Sequence, residues 1–295
     1  MATRRRQGEL IRGVLSVLAE HPDGLAANDV LKAVEQRVPP TDHEQADYPK
    51  HPGRRRFERT VRFATIGPVK AGWLVKDKGQ WSITDEGRTA YSSFTDPEAL
   101  QREWAKLYKA WKKAQPETAA GDEEVEADSD ETATATLEEA EEAAWREIRE
   151  YLSKMPPYEF QNLVAALLRA MGYHVLWVAP PGPDRGIDMV AYNDPLGTTR
   201  PRIKVQVKRQ ATSKIDAHGL RAFIGTLGAE DVGIYVSSGG FTSEAERESR
   251  SEVRHVTLID LDRLVELWVQ YSAKLGDADR QLLPLNPIYF LTPSE

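Results

Sequence analysis

The chain has 295 residues, enough for two ordinary domains, and 40% of them are apolar, which can fill two modest cores. It has no cysteine, which excludes disulfides and thiolate metal sites and fits a cytoplasmic protein. Arg4, Arg5 and Arg6 are followed by no apolar stretch of signal-peptide type, and no apolar run is long enough to span a bilayer, so we expect no membrane association.

The formal net charge of -7 is unevenly distributed along the chain. Residues 116–143 contain twelve Asp or Glu and no Lys or Arg; without those twelve, 34 acidic residues remain against 39 basic ones. The rest of the chain is therefore mildly basic. Within this tract, residues 116–136 predict an acidic flexible linker between two domains. Such a tract can also compete with DNA for a basic surface, but we expect a solvated spacer.

Three helical patterns followed by a small hairpin organise residues 1–93. The helices are predicted at 10–18, 26–38 and 54–71, and the strands at 73–75 and 81–83 around a turn at 77–79. Helix, helix, helix and wing is the order of a winged helix-turn-helix. We expect Trp73 and Trp81, on the two strands, to pack the module rather than to contact bases.

The third predicted helix has an apolar face and, opposite it, a basic face. The candidate DNA-binding residues lie at its start, on its basic face and at the wing turn: Arg54, Arg55, Arg59, Arg62 and Lys78. Contacts from Arg and Lys to phosphates give salt-sensitive binding that tolerates many sequences. The sequence therefore predicts double-stranded DNA as a partner. The alternative is a winged helix that makes only protein contacts.

Residues 94–115 predict a helix that connects this module to the linker. Trp104, Leu107, Tyr108 and Trp111 recur at three- and four-residue spacing, with lysines between them. Such a stripe can stack on nucleic acid, but it is more often core or a dimer contact. We expect the second role.

Residues 137–275 predict an α/β domain. The predicted helices are at 137–152, 158–171, 215–227 and 242–249, and the predicted strands at 173–178, 186–192, 202–208, 232–236 and 255–259. The helix at 137–152 is expected to turn its acidic side to solvent. Residues 276–295 are expected to pack back as an extended arm or to contact another subunit.

The predicted hairpin at 186–208 brings three polar side chains together. Apolar and polar residues alternate on both strands, and a turn sequence joins them. A register that sets Tyr192 opposite Arg202 also sets Asp188 opposite Gln206, with both side chains on one face. Lys208 then lies one diagonal step away.

These residue types can hold a divalent cation beside a phosphodiester. Asp188, the amide oxygen of Gln206 and the Val207 carbonyl are oxygen ligands of the kind that Mg²⁺ or Mn²⁺ takes. Lys208 can orient a nucleophile or stabilise a developing oxyanion. Asp184, in the preceding loop, is interpreted as a turn or cap residue rather than the metal ligand.

In their order and spacing, the motifs resemble those of the Mrr-like restriction endonucleases, a branch of the PD-(D/E)xK nucleases in which the second acid is often glutamine. The motifs span most of 157–268: YEFQNLV at 158–164, AMGY at 170–173, DRGID at 184–188, QVKR at 206–209, and SSGGFT at 237–242 with an alanine at 245. Residues 71–88 resemble the N-terminal domain that accompanies this catalytic domain.

The resemblance implies a restriction-endonuclease-like α/β domain, with a mixed central sheet flanked by helices in the order α-β-β-β-α-β-α-β, after a winged helix-turn-helix domain. It implies a Mg²⁺-dependent endodeoxyribonuclease of restriction type, with methylated DNA as a candidate target. From its place next to Lys208, we expect Arg209 to face DNA. Because a duplex cut needs two such sites, we expect a homodimer or higher homo-oligomer. No nucleotide-binding motif is found.

The chain departs from the family pattern at Gln161, a candidate catalytic position where the family usually has glutamate. Glu159 lies two residues earlier, on roughly the opposite face of the helix, and cannot replace it. With glutamine at both 161 and 206, the site has one firm carboxylate, which predicts weak metal affinity or impaired catalysis. Two other interpretations stay open: a repair or junction-resolving nuclease, and a non-catalytic DNA-binding or sensing protein.

Overall fold

The structure is a computed structural model that describes residues 3–48, 51–114, 123–180, 186–210, 213–251 and 254–288; of residues 47, 48, 51–54, 114 and 123–136 it describes the backbone alone. The chain forms two compact units, divided in sequence between Glu147 and Ile148. Over the described ranges, no helix combines the length and the apolar character needed to cross a membrane.

The first unit combines helices with small antiparallel sheets. In chain order its elements are α1 (Arg4–Ala19), β1 (Leu25–Ala26), α2 (Ala27–Arg37), α3 (Asp42–Gln45), β2 (Asp47–Tyr48), β3 (His51–Arg55), α4 (Arg56–Lys70), β4 (Leu74–Asp77), β5 (Gln80–Ile83), α5 (Asp85–Ser93), α6 (Pro97–Ala114) and most of α7 (Glu123–Lys154). The three predicted helices correspond to α1, α2 and α4, and the predicted hairpin to β4 and β5, which form the wing. β1 pairs with β5 and adds a third strand.

Apolar side chains at three- and four-residue spacing give α1 a fully buried face, formed by Leu10, Ile11, Val14, Leu15 and Leu18. This face belongs to one hydrophobic cluster with residues of α2, α4 and the wing. Burying one leucine or isoleucine side chain is worth about 1.5–3 kcal/mol, so the cluster is the main source of stability in this unit. Trp73 and Trp81 lie in the cluster, which confirms their predicted packing role.

The wing turns tightly between its two strands. Asp77 pairs with Gln80, and the two residues between them, Lys78 and Gly79, have φ of 49° and 75°. Two central residues with positive φ form the kind of turn that matches the twist of a β-hairpin, and glycine adopts this conformation without strain.

The aromatic stripe of α6 is mainly a core feature, as predicted. Leu100 and Trp104 are buried in the cluster of the first unit, and the Trp104 ring meets Trp73 edge-on with 6.4 Å between the ring centroids. Tyr108 and Trp111 stack on each other at 5.9 Å. The helix therefore contributes to the fold of the N-terminal module.

The second unit is built around a mixed five-stranded sheet. After the end of α7 its elements are α8 (Pro157–Ala170), β6 (His174–Val178), β7 (Met189–Tyr192), β8 (Ile203–Lys208), α9 (Ala217–Ile224), β9 (Val232–Ser237), α10 (Ser243–Ser251), β10 (Val256–Ile259), α11 (Leu261–Gln270), a 3₁₀ turn (Ser272–Lys274) and α12 (Asp277–Arg280). The strand order is β10-β9-β8-β7-β6, parallel from β10 to β8 and antiparallel from β8 to β6. The predicted element order is confirmed from α8 to β10, whereas α11 is an element that the sequence analysis missed.

The helix α7 is the largest departure from prediction. The sequence predicts a flexible linker over 116–136 and a helix over 137–152, but one helix runs from Glu123 to Lys154. Ala and Glu have high helix propensity, so an acidic tract rich in both can extend a helix despite its lack of large apolar residues. The remaining linker residues, up to 122, lie outside the described part of the chain.

The C-terminal arm packs back on the second unit over its described residues. Leu283 is buried, and its carbonyl accepts a hydrogen bond from the Trp268 indole at 3.1 Å. Residues 289–295 of the predicted arm lie outside the described ranges.

Candidate active site and nucleic-acid interface

The β7–β8 hairpin has the register that the sequence predicts. Met189 pairs with Val205, and the N–H of Asp188 donates to the Val205 carbonyl at 2.8 Å. Continued by one residue, this register sets Asp188 opposite Gln206. The two polar side chains therefore lie on the same face of neighbouring strands.

Asp188 is held in place by the backbone of β8. Its Oδ2 accepts a hydrogen bond from the Val207 N–H at 2.7 Å, and the residue is only 6% exposed. A hydrogen bond to a charged acceptor is shorter and stronger than one between neutral groups, and it offsets part of the cost of removing the carboxylate from water. The carboxylate is thus fixed at the Gln206–Lys208 end of the strand.

Gly186 adopts a backbone conformation that favours glycine. Its φ is 79°, in the left-handed region where a side chain is strained. A Cβ at this position would lie 3.7 Å from Nε2 of Gln206, an ordinary contact distance, so the backbone conformation and not space calls for glycine. Asp184 and Arg185 of the same motif lie outside the described residues.

Lys208 ends β8 beside Ser237, which ends the parallel strand β9. Paired residues on adjacent strands point to the same face, so both lie on the face that carries Gln206. Ser237 is fully buried, and among the described residues its hydroxyl has no hydrogen-bond partner. The sequence gives Ser237 only as part of the 237–242 motif, and its place beside Lys208 follows from the pairing of β9 with β8.

Gln161 of α8 reaches the site, as predicted. Its Nε2 donates to the carbonyls of Ala179 at 3.1 Å and Asp188 at 3.3 Å. An amide can donate these bonds, whereas a carboxylate at the same position would face two carbonyl oxygens without a proton to share. The surroundings of Gln161 therefore suit glutamine.

The donor set fits a hard cation. Asp188 and the Gln206 amide are oxygen donors on one face, and the carboxylate is already oriented by a backbone N–H. Over the described residues, no three His, Cys, Asp or Glu side chains come close enough to one another to hold a metal ion.

The predicted DNA-binding residues of the first unit contact other side chains. Arg55 makes a two-point ion pair with Glu35, at 2.6 and 2.8 Å, and a further bond to Glu58 at 3.1 Å. The guanidinium of Arg59 lies over the ring of Phe63 in the same helix, 5.2 Å from its centroid. Two of the predicted arginines are thus restrained within the module.

The structure corrects the placement of Arg62, which the sequence assigns to a groove-facing surface. Arg62 is 6% exposed, and its Nη1 lies 2.5 Å from Oε2 of Glu142 in α7. At the wing turn, the Nζ of Lys78 lies 5.6 Å from the ring centroid of Trp145, also in α7. Arg62 lies on the predicted face of α4, but α7 covers it there. The side chain of Arg54 is outside the described part of the structure.

Two glutamates of α7 that the sequence assigns to a solvent-facing side instead contact the wing. Lys76 Nζ lies 2.7 Å from Oε2 of Glu138, and the Trp81 indole donates to Oε1 of Glu142 at 2.9 Å. Both glutamates and Lys76 are residues that the sequence analysis missed. Their signal is the i, i+4 spacing, which puts Glu138 and Glu142 on one helix face.

Arg209, which is predicted to face DNA, donates from Nη1 to the Ser153 carbonyl at 2.6 Å. This carbonyl belongs to the last turn of α7, where backbone acceptors lack partners within the helix. Arg209 therefore ties the end of β8 to the end of α7, and its contact with DNA stays a prediction.

A mixed sheet flanked by helices, with Asp188, Gln206 and Lys208 on its antiparallel hairpin, defines a restriction-endonuclease-like domain. The comparisons with known proteins agree. Residues 152–268 match the restriction endonuclease family Mrr_cat, and residues 8–93 match the Mrr N-terminal domain. The chain therefore carries a restriction endonuclease domain of the Mrr_cat family and a Mrr N-terminal domain, and the resemblance drawn from its motifs is confirmed for both domains.

Two individual proteins are similar to this chain. The type IV methyl-directed restriction enzyme EcoKMrr of Escherichia coli K12 is 27% identical over 305 residues, which cover 96% of this chain and 97% of that protein. Among solved structures, the MspJI restriction endonuclease in complex with a 27-mer oligonucleotide is 19% identical with a TM-score of 0.34; the match covers 69% of this chain and 47% of that one.

Proposed function

We propose that this chain is a metal-dependent DNA endonuclease of restriction type. The observation that carries the proposal is the Asp188 carboxylate, held at 2.7 Å by the Val207 amide on the hairpin that also presents Gln206 and Lys208. The restriction endonuclease domain of the Mrr_cat family supports a nuclease that acts on DNA.

Asp188, the Gln206 amide oxygen and the Val207 carbonyl would hold the cation, which we propose to be Mg²⁺ or Mn²⁺. When bound, such a cation neutralises charge on the scissile phosphate and lowers the pKa of bound water. The Val207 N–H keeps the carboxylate in one orientation before the substrate arrives, so little reorganisation is needed at the moment of reaction.

Lys208 would place its ammonium next to the reacting phosphate. From there it can orient the attacking water or stabilise charge on the departing oxygen. Ser237, buried and paired with Lys208 between β8 and β9, would lie next to this ammonium.

The winged helix would bind duplex DNA through α4 and the wing, with Arg54, Arg55, Arg59 and Lys78 as phosphate contacts. We propose modified, methylated duplex as the target, supported by the methyl-directed relative of nearly equal length. Two strands must be cut, so a homodimer or higher homo-oligomer would act on DNA in the cytoplasm. No nucleotide cofactor enters the proposal.

A second candidate function is that of a non-catalytic DNA-binding or sensing protein. The observation that favours it is Gln161, whose amide donates to two backbone carbonyls at a position where the family usually has a glutamate. A site with one firm carboxylate binds a cation weakly, and a protein with such a site could bind DNA without cutting it.

The test is a nicking assay on methylated and unmethylated supercoiled plasmid with Mg²⁺ or Mn²⁺. Asp188→Ala and Lys208→Ala should each lose on the order of a hundredfold or more in rate, while Lys154→Ala, an exposed lysine of α7, should keep the parent rate. Cleavage that both site variants lose, and that depends on methylation, would support the endonuclease.

Gln161→Glu in the same assay separates the two candidates. If the parent site is active but short of negative charge, the added carboxylate should lower the metal concentration that half-saturates cleavage. If the parent and Gln161→Glu both shift DNA on a gel and neither nicks it with either cation, the second candidate becomes the better account.

A further inference from the structure

One face of α7 covers the surface between α4 and the wing. Glu142 contacts Arg62 of α4 at 2.5 Å and the Trp81 indole of β5 at 2.9 Å, and Glu138 contacts Lys76 of β4 at 2.7 Å. The two cations also lie over the Trp81 ring, with the guanidinium 5.8 Å and the ammonium 4.2 Å from its centroid. The four charged side chains thus form one buried cluster around a single indole.

The covered surface is the one that the proposed function assigns to DNA. In a helix-turn-helix module the recognition helix enters the major groove, and basic side chains around it contact phosphates. Arg62 of α4 is 6% exposed, and the Lys76 side chain of the wing is 8% exposed. Neither can contact a phosphate while Glu138 and Glu142 lie over it.

The glutamates offer these cations the same chemistry as a DNA backbone. A carboxylate and a phosphate both present anionic oxygens that accept charge-assisted hydrogen bonds from Arg and Lys. Four residues of helix separate Glu138 from Glu142, a rise of about 6 Å, so both carboxylates face the basic surface together. The acidic face of α7 therefore occupies phosphate-binding positions.

The cluster is poorly suited to a purely structural role. Burial lowers the pKa of Lys76, and the neighbouring carboxylates of Glu138 and Glu142 restore only part of it. Removing the ammonium from water thus costs more than its new partners return. Buried ion pairs of this kind add little net stability. Replacing the α7 glutamates by other anionic partners at a hydrated surface should therefore cost little free energy.

We propose that the acidic face of α7 competes with DNA: while Glu138 and Glu142 occupy the surface between α4 and the wing, the first unit does not bind duplex, and binding requires α7 to leave. The inference rests on the proposed function, because it takes the winged helix to be a DNA-binding module. It commits to the DNA backbone as the other occupant of this surface.

An engineered disulfide tests the competition, since the chain has no cysteine of its own. A Cβ at Gly79 would lie 3.5 Å from the Cβ of Glu142, within the range of a disulfide. Gly79→Cys/Glu142→Cys in the full chain would hold α7 on the wing when oxidised and release it when reduced. Fluorescence anisotropy with a labelled duplex, in EDTA to prevent cleavage, compares the two forms. The reduced form should bind at least about tenfold more tightly, since it regains phosphate contacts.

A charge variant provides a second test that does not depend on the strained Gly79 position. Glu138→Gln/Glu142→Gln keeps the shape of both side chains but weakens their hold on Arg62 and Lys76. It should bind duplex about tenfold more tightly than the parent, and the slope of log Kd against log salt should steepen by about 1.8 for two added phosphate contacts. Circular dichroism confirms that the variant is folded.

The matched control removes two exposed glutamates from the same helix. Glu147→Gln/Glu150→Gln changes the net charge equally, but both residues are exposed rather than buried against the wing. This control should change the affinity by less than about twofold, because exposed charges act on DNA only through a screened field. The difference between the two pairs measures the specific effect of the covered surface.

The outcomes separate this inference from the proposed function. Equal DNA affinity of the oxidised and reduced forms, or equal gains from the two glutamine pairs, would overturn the competition. If the strained Gly79 position prevents the disulfide, the two glutamine pairs decide, and equal affinities of the two pairs would overturn the competition. If the disulfide forms readily but no variant binds duplex at any salt concentration, the winged helix is not a DNA-binding module, and the proposed function fails in its DNA-capture step.

Discussion

Each unit has a buried cluster of charged side chains, and the two clusters differ in whether their partners offset the cost of burial. In the second unit one carboxylate, Asp231, is surrounded by donors: Arg202 Nε at 3.0 Å, Lys204 Nζ at 2.9 Å and the Gly228 N–H at 2.8 Å. Burial raises the pKa of Asp231, but hydrogen bonds from Lys204 and the Gly228 N–H, together with the positive charges, outweigh burial and lower it. The ionised carboxylate is therefore better stabilised in the folded chain than in water.

The cluster between α7 and the wing has the reverse balance, because burial has the larger effect on Lys76 and lowers its pKa. Its members also come from distant parts of the chain: Lys76 and Glu138 are 62 residues apart, whereas Arg202 and Asp231 are 29 apart and flank paired strands. A charge cluster at one sheet stabilises that sheet. A cluster between the wing and a separate helix can instead come apart when the helix leaves.

The largest effect should follow from Asp231→Ala. The variant leaves Arg202 and Lys204 without their carboxylate and the Gly228 N–H without its acceptor, which should reduce the free energy of unfolding by about 3–5 kcal/mol. Urea titration followed by far-UV circular dichroism measures the loss. Glu230→Ala, the exposed neighbour that pairs with Arg200, should cost less than about 1 kcal/mol. Equal losses of unfolding free energy in the two variants would contradict the stabilising role of the Asp231 cluster.

A smaller difference in stability loss between the two clusters should appear when one charged pair in each is replaced by neutral residues. Arg62→Met/Glu142→Gln removes an ion pair but keeps an acceptor for the Trp81 indole, so we expect stability to change by less than about 1 kcal/mol. Lys204→Met/Asp231→Asn should cost about 2 kcal/mol or more, because Arg202 loses a charged acceptor.

Urea unfolding of both double variants beside the parent tests this contrast. An equal loss of unfolding free energy in the two double variants would mean that the α7 cluster also stabilises the fold. The distinction between the two clusters would then be wrong.

Much of the β7–β8 hairpin could be predicted because its signals are local. Alternating apolar and polar residues on both strands and a turn sequence between them set the register, and Asp188 and Val207 are only 19 residues apart. The motif that Gln161 occupies also predicted its place near Asp188, where its Nε2 donates to the Asp188 carbonyl. The position of Ser237 beside Lys208 could not be predicted, because only the strand order of the sheet brings the two residues together, and strand order is not a property of any single segment.

The closure of the basic surface could not be predicted in the same way. The face of α4 that carries Arg62 was placed correctly, since helix periodicity fixes which residues share a side. Periodicity does not say what lies on that side: Trp81 and Glu142 are 61 residues apart, and the acidic tract between the domains has the composition of a linker. The sequence shows that the chain has both an acidic and a basic helix face. Only the tertiary structure shows that the two faces contact each other.

The smallest effect concerns acid. The lowered pKa of Asp231 means that its contribution to stability is fully present above the ordinary Asp value of about 3.9 and is lost as the pH falls toward the lowered folded value. The melting temperature of the parent should therefore exceed that of Asp231→Asn by a constant margin from pH 7 to about pH 5, and the margin should shrink below about pH 4. Thermal melts across this range measure it, with Glu230→Gln as the control, whose exposed carboxylate should give almost no margin at any pH. If the difference in melting temperature between the parent and Asp231→Asn stays constant into strong acid, the hydrogen bonds of Asp231 and not its charge give this cluster its stabilising effect.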